Sequence, residues 1–425
     1  MQPFDQNTGI APAALTSGEP LALSWQWPRG MVGVSIANFL LRILTLGIYH
    51  FWGKTEVRRR IWSAIRLNGE PLTYTGTGGE LFFGFVIVSL AVFLPITVLM
   101  IGVMFAFGPE SALAQSIPGL LYIPILFLVG IAIYRATRYR LARTRWRGIR
   151  GALTGHSGHY GWTFFWTLIV AGLTLGWAVP WRSTKLQALQ TTNMRFGDRP
   201  LRFTATSGPL YGPYAVVWFG TLLGYGLAAA AVWAILGDTI AQNVIASRTG
   251  GDPVVPTGRQ IGLVTLSIVA ALLFLAIIAA WYRARVFNHF ADNTHFENAT
   301  FAGTASAGGL IWIAVTNYLI LMVGVILLAL PAVLLALGAA RSLGPLAENP
   351  EVMQGVLAMV PLAALLVFGL GFSLLSPVAQ ARTTGYLVRH LAVNGTAPLA
   401  AIAQAAGGDA KFGEGLAQAF DVDAF

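Results

Sequence analysis

Long runs without charge alternate with short, strongly basic stretches along most of the chain. A helix needs about 20 apolar residues to cross the hydrocarbon core of a bilayer. Eight stretches approach that length: 31–51, 81–107, 117–134, 161–181, 210–237, 261–282, 309–338 and 354–376. Seven of them hold no charged residue, and the first holds only Arg42. Pro95 and Pro331 predict kinks or tilt within two of the longer runs.

Basic residues gather in cytoplasmic loops, so the stretches between the runs carry orientation. Eight alternating crossings divide the loop Lys and Arg 11 to 15 and put the basic loops 135–160 and 182–209 on opposite faces. If 31–51 and 161–181 instead enter and leave the same face, the division becomes 23 to 3. The expected fold is an all-α polytopic membrane protein: three transmembrane hairpins plus two re-entrant apolar segments, with both termini cytoplasmic. Eight full spans is the alternative, since 21 apolar residues are enough to cross.

Internal repeats point the same way. TLGIYHFW (45–52) and TLGWAVPW (174–181) share Thr45/Thr174, Gly47/Gly176 and Trp52/Trp181 at one spacing. PLTYTGT (71–77) and PLRFTAT (200–206) follow, behind Gly69-x-Pro71 and Gly197-x-x-Pro200. A fainter third copy has Pro377, Gly395 and Pro398, and lacks the Thr-Leu-Gly and Trp positions. YRATRY (134–139) and YRARVF (282–287) echo one another at two hairpin exits. The chain then divides into an N-terminal segment 1–30, repeat units 31–134 and 135–282, a divergent unit 283–400 and an acidic tail 401–425. Repeats of this kind are common in transporters.

The segments TLGIYHFWGKTEVRRRIWSAIRLNGEPLTYTGTGGELFFGF and PWRSTKLQALQTTNMRFGDRPL, with the ending EGLAQAFDVDAF, resemble the YjgN-like family of bacterial inner-membrane proteins. The resemblance implies a multi-span fold in a bacterial inner membrane and brings no activity with it.

Composition excludes the soluble classes. The chain is 56% hydrophobic and 10% charged, against about 25% charge in an average soluble domain. Cysteine is absent, so disulfide and thiolate chemistry are absent too. The net charge of +10 comes without a nucleic-acid-binding motif and reads as attraction to anionic lipid headgroups. No basic n-region followed by an apolar run opens the chain, so no cleaved signal peptide is expected.

Candidate chemistry is sparse. Tyr139, Ala142, Trp146, Ile149 and Leu153 fall at helical spacing over 138–153 and predict an interfacial helix. Its flanking Arg140, Arg143, Arg147 and Arg150, with Arg58, Arg59 and Arg60, are candidate lipid or anion contacts. Ordinary topology-setting charge is the plainer explanation of all seven. Arg42 and Asn38, one turn apart, are a candidate polar lining at a re-entrant tip. Asn317 is a third candidate, although in a membrane helix an Asn more commonly bonds a neighbouring helix. His156 and His159 form an HxxH pair without a carboxylate beside it, too little for a metal site. TGTGGE (75–80) reads as a turn before a span. No cofactor and no enzymatic activity are expected. Two functions remain: a passive transporter or channel for a small solute, or a non-catalytic envelope scaffold or anionic-lipid-binding protein.

Overall fold

A computed structural model describes residues 18–108, 110–343 and 350–404. The chain makes five helical excursions, each leaving from one short strand and returning to the strand beside it. The first leaves β1 (Glu19–Pro20) and β2 (Leu23–Trp25), turns through α1 (Met31–Leu44) and α2 (His50–Ala64), and returns in β3 (Ile65–Leu67). The second leaves β4 (Glu70–Pro71) and β5 (Thr73–Tyr74). It runs out through α3 (Gly78–Val88), a π-helical turn and α4 (Leu94–Phe107), and comes back along α5 (Ala112–Arg143) to β6 (Thr144–Trp146). The third passes from β7 (Ile149–Leu153) through α6 (Ser157–Leu173) and α7 (Val179–Thr191) to β8 (Met194–Phe196). The fourth joins β9 (Arg199–Phe203) to β10 (Thr294–Phe296) through α8 (Gly208–Thr249) and α9 (Gly258–Asp292). The fifth starts from β11 (Ala299–Gly303) and uses α10 (Ala307–Leu343), α11 (Pro350–Leu374) and α12 (Ser376–Arg389). It ends in β12 (Leu391–Asn394) and β13 (Thr396–Ala397).

Every strand pair is antiparallel, and the ladders run on into one another. One sheet follows the order β12-β11-β10-β9-β8-β7-β6-β5. β5 continues β4, which pairs with β3 and through it with β2, while β1 pairs with β13. The strands therefore form a ring that the N-terminal and C-terminal strands close together. Its hairpin turns are tight: Asn68-Gly69 and Arg147-Gly148 both have positive φ at their two central residues, the geometry that matches the twist of two-residue hairpins.

The ring changes the expected picture in two ways. The described residues are 72% helical, consistent with an all-α membrane protein, and the strands come in addition. They are two to five residues long and arginine-rich, too short for a period-2 pattern to register. The predicted interfacial helix over 138–153 is also replaced. α5 ends at Arg143, and Trp146 faces Ile149 across a hairpin. The left-handed pair Arg147-Gly148, at φ 48° and 77°, cannot continue a helix.

Among the described residues, five helices are long and apolar enough to cross a membrane, or six if the bent α11–α12 pair counts as one span. Exposed Leu, Ile, Val and Phe side chains cover them. Close glycine contacts join some pairs, as where Gly324 of α10 meets Gly371 of α11, the small-residue packing that membrane helices use in place of a hydrophobic drive. α1, of 14 residues, is about 21 Å long and too short to cross an apolar core of about 30 Å.

The two Thr-Leu-Gly turns are built alike. Thr45 Oγ1 accepts from Tyr49 N–H at 2.9 Å, and Thr174 Oγ1 from Ala178 N–H at 3.1 Å. Leu46 and Leu175 both have φ 50°, and Gly47 and Gly176 have φ 92° and 87°. Each turn reverses its helix and leaves an apolar tip, with Leu46 and Leu175 exposed. The third unit has no such turn. α11 passes into α12 through a 44° bend, as expected where no residue there adopts a left-handed conformation. The acidic tail beyond residue 404 lies outside the described residues.

Ladder pairing makes sidedness testable. Single cysteines at Glu70, Asp198, Asn298 and Asn394 are expected to share one labelling class with an impermeant maleimide on intact cells. Gln115 and Gly250 are expected to share the other. Opposite behaviour of Glu70 and Asp198 would contradict the ring.

Candidate functional site

The ring lines a half-open cavity of about 330 Å³. Each of the four strand hairpins places one apolar residue just before its turn, Leu67, Trp146, Phe196 and Phe296, and Val393 takes the corresponding place in β12, before the turn at Gly395. All five meet in one cluster, with Leu21, Ala299, Ala397, Leu399 and Ile402. Trp146 and Phe296 are buried and Leu67, Leu72, Phe196, Leu201, Phe301 and Val393 partly so, and all eight line the cavity. Apart from Thr144 and Arg195, its lining is apolar.

The two ends of the cavity differ. At the turn end, residues 399–404 cross the ring. Asp198 N–H donates to Ala403 O at 3.0 Å, Ala403 N–H returns a bond to Asp198 Oδ1 at 3.2 Å, and Arg150 N–H donates to Gln404 Oε1 at 2.9 Å. At the helix end, a second cleft of about 370 Å³ lies between α7 and α9, lined by Gln187, Thr191, Phe287 and Phe290. It shares Met194, Leu201, Phe301 and Leu391 with the ring cavity. The apolar interior is thus bordered by backbone at one end and by membrane-directed helices at the other.

Repeated clamps hold that helix end. Thr75, Thr154, Thr204 and Thr304 each donate a backbone N–H to the carbonyl that ends the next helical excursion. The acceptors are Arg143, Asn193, Asn293 and His390, at 2.8–3.0 Å. Each threonine hydroxyl reaches the same carbonyl at 3.2–3.4 Å. Gln26 N–H makes the fifth such bond, to Ala64 O at 2.9 Å. Only two of these threonines carry a local signal, Thr75 and Thr204, each four residues past the proline of PLTYT or PLRFT; Thr154 and Thr304 follow no Pro-Leu pair.

The basic candidates mostly bind the protein itself. Arg58 is buried, with Nη1 3.4 Å from the Tyr74 hydroxyl, and Arg59 donates to Gly76 O at 2.9 Å. Arg60 pairs with Glu56 at 3.0 Å and donates to Arg29 O at 2.8 Å. Arg140 reaches Thr137 Oγ1 at 3.4 Å. Arg147 stacks on Trp146 and bonds Glu70 at 3.1 Å and Glu19 at 3.2 Å. The hydrogen bonds it donates to Glu70, then to Glu19, push its guanidinium above its usual range. Arg143 is buried and pairs with Glu80 at 2.7 Å, and Glu80 also accepts from the Tyr139 hydroxyl at 2.6 Å. Glu80 was not predicted; it stands in the first turn of α3, capped by Thr77. The two basic arms do meet, through Trp62 Nε1 donating to Thr144 Oγ1 at 2.7 Å.

The polar-lining candidates also face helices. Asn38 is buried and donates to Gly53 O at 3.1 Å, tying α1 to α2. Asn317 donates to Ala379 O and Thr383 Oγ1 and accepts from Arg382, tying α10 to α12. Arg42 is half-buried, and its Nε has no hydrogen-bond partner. Among the motif residues, Pro71 faces Arg66 and Pro200 faces Arg195 in equivalent registers. Gly395 takes φ 100°, and Pro398 precedes a 3₁₀ turn. Trp52 packs on Phe82 and Trp181 on Trp166. His156 and His159 border a small cleft with Tyr134 and Tyr160, and among the described residues no three His, Cys, Asp or Glu gather as metal ligands.

Residues 29–419 match the family described as "Bacterial protein of unknown function (DUF898)", and the chain belongs to that family. It is similar to the inner membrane protein YjgN of Salmonella typhimurium, at 40% identity over 57 residues, 13% of this chain and 14% of that protein. Its similarity to the inner membrane protein YjgN of Escherichia coli O157:H7 is 28% over 156 residues, 36% of this chain and 35% of that protein. The aligned stretches thus span little more than a third of those relatives at most. No solved structure matches the chain.

The Glu80 network is open to direct measurement. Hydrogen bonds to charged groups contribute about 1.5–3 kcal/mol. Glu80→Gln is therefore expected to lower the thermal stability of the detergent-solubilised protein by an amount in that range. Adding Arg143→Gln should cost less than the sum of the two single changes.

Proposed function

We propose that the protein is a non-catalytic, multi-pass protein of the bacterial inner membrane that receives an anionic amphiphile in its strand ring. The observation that carries this reading is the apolar ring cavity of about 330 Å³ at the foot of the membrane helices. Protein interiors leave few voids larger than a water molecule, so a core of this composition would ordinarily be filled. The volume falls in the range of about 300–1,000 Å³ typical of small-molecule sites. Closed barrels of about eight strands hold either packed side chains or one small ligand.

Energetics define what the ring can select. An acyl chain gains about 0.8 kcal/mol per methylene on leaving water, but a chain already in a bilayer gains little by entering another apolar space. Selection then rests on chain length and on charge. The basic loops, 23 Lys and Arg to 3, favour an anionic head on the ring side. In the accompanying topology the ring is cytoplasmic, three helical hairpins cross, and α1–α2 and α6–α7 dip into the same leaflet with apolar tips. Passive conduction has less support, because Asn38 and Asn317 already bond across helix pairs and the ring interior is apolar.

Leu201→Trp is expected to fill the cavity. Native mass spectrometry of the gently extracted protein should show a copurifying amphiphile whose occupancy falls at least fivefold in the variant, while helicity and thermal stability are kept. A wild-type protein that carries no amphiphile and takes up neither dodecanoate nor phosphatidylglycerol would end this proposal.

A further inference from the structure

Outside the ring, a separate cleft of about 410 Å³ opens where β2 passes α10 and α12. Its walls include Trp25, Trp27, Trp312, Arg382, Tyr386 and Arg389. On α12, Arg382, Tyr386 and Arg389 recur at i, i+4 and i+7 and so share one face. Gly385 makes the cleft possible, since a Cβ there would stand 2.5 Å from the Trp25 ring. No Asp or Glu lines it among the described residues.

The two arginines are in different states. Arg382 is half-buried and oriented, with Nε donating to Asn317 Oδ1 at 3.0 Å and Nη2 to Thr316 Oγ1 at 2.7 Å. These bonds fix the guanidinium plane and leave further N–H donors unused. Arg389 is exposed, seven residues on, and has no ion pair or hydrogen bond among the described residues. The Trp25 indole N–H is shut off from solvent and has no acceptor among the described residues. Trp27 and Trp312 are 49% and 66% exposed, and Trp312 stands in the second turn of the apolar α10. Exposed tryptophans beside an apolar run are characteristic of the headgroup level of a bilayer.

We propose that this cleft binds the phosphate of an anionic phospholipid, with Arg382 and Arg389 on the phosphate oxygens and Trp27 and Trp312 against the glycerol and upper chains. Guanidinium groups suit phosphate because their donors are planar and forked. A soluble phosphate ester shares that chemistry, but it would have no use for two exposed indoles at the foot of a membrane helix. The site uses none of the ring-cavity residues and stands apart from the ring proposal.

The test uses the full chain in nanodiscs of phosphatidylglycerol mixed with phosphatidylcholine, with lipid retention read by native mass spectrometry. Wild type is expected to retain phosphatidylglycerol at least tenfold over phosphatidylcholine. Arg389→Glu, on an exposed side chain, should abolish that preference, Arg382→Gln should weaken it, and Leu201→Trp should leave it intact. Retention unchanged in both arginine variants would overturn the site. Binding of glycerol 3-phosphate without any preference for phosphatidylglycerol would overturn the lipid assignment.

Discussion

Five backbone hydrogen bonds, from Gln26, Thr75, Thr154, Thr204 and Thr304, return each helical excursion to the strand beside the one it left. Membrane helices satisfy their own backbone groups, but the segments that join them do not. Here the joining segments satisfy one another by pairing into a ring. The constraint is strict: all helix exits must sit at one level and one spacing, so the excursions differ in length while their roots do not. A short excursion such as α1–α2, two helices of about four turns each, and a full hairpin such as α8–α9 are interchangeable from the ring's side.

Much of this arrangement was visible beforehand, and the remainder has identifiable causes. The apolar runs and the charge division depend on composition over 20 residues, which survives any local irregularity. The Thr-Leu-Gly turns were recognisable because a hydroxyl and a glycine at fixed spacing meet a fixed backbone need, and Gly47 and Gly176 meet it identically. The strands escaped notice because a three-residue strand has no period. Trp146 illustrates the failure: its spacing from Tyr139 and Leu153 fits a helix, whereas the left-handed Arg147-Gly148 turn makes the hairpin that carries it into the ring. Glu80 escaped for another reason. Its partners Tyr139 and Arg143 are distant in sequence, and no local pattern announces a pair that tertiary packing makes.

The basic residues also divide in a way that counting could not foresee. Arg58, Arg59, Arg60, Arg143 and Arg147 hold hydroxyl, carbonyl or carboxylate groups of the protein, so they help to build the platform around the ring. Arg382 and Arg389, which no repeat marks, line a cleft to which the described residues bring no carboxylate. Charge tied up within the fold braces it, and charge left facing a cleft is available to a ligand.

The first strand pairs with the last: Glu19 faces Ala397 and Pro20 faces Thr396. During synthesis the N-terminal strand therefore emerges long before its final neighbour exists. Until the last excursion is inserted, the growing sheet keeps open edges, which invite wrong pairing, and contacts between such distant segments form slowly. A chain that stopped short of β12 and β13 would carry its other helical excursions and still leave β1 and β11 without those partners.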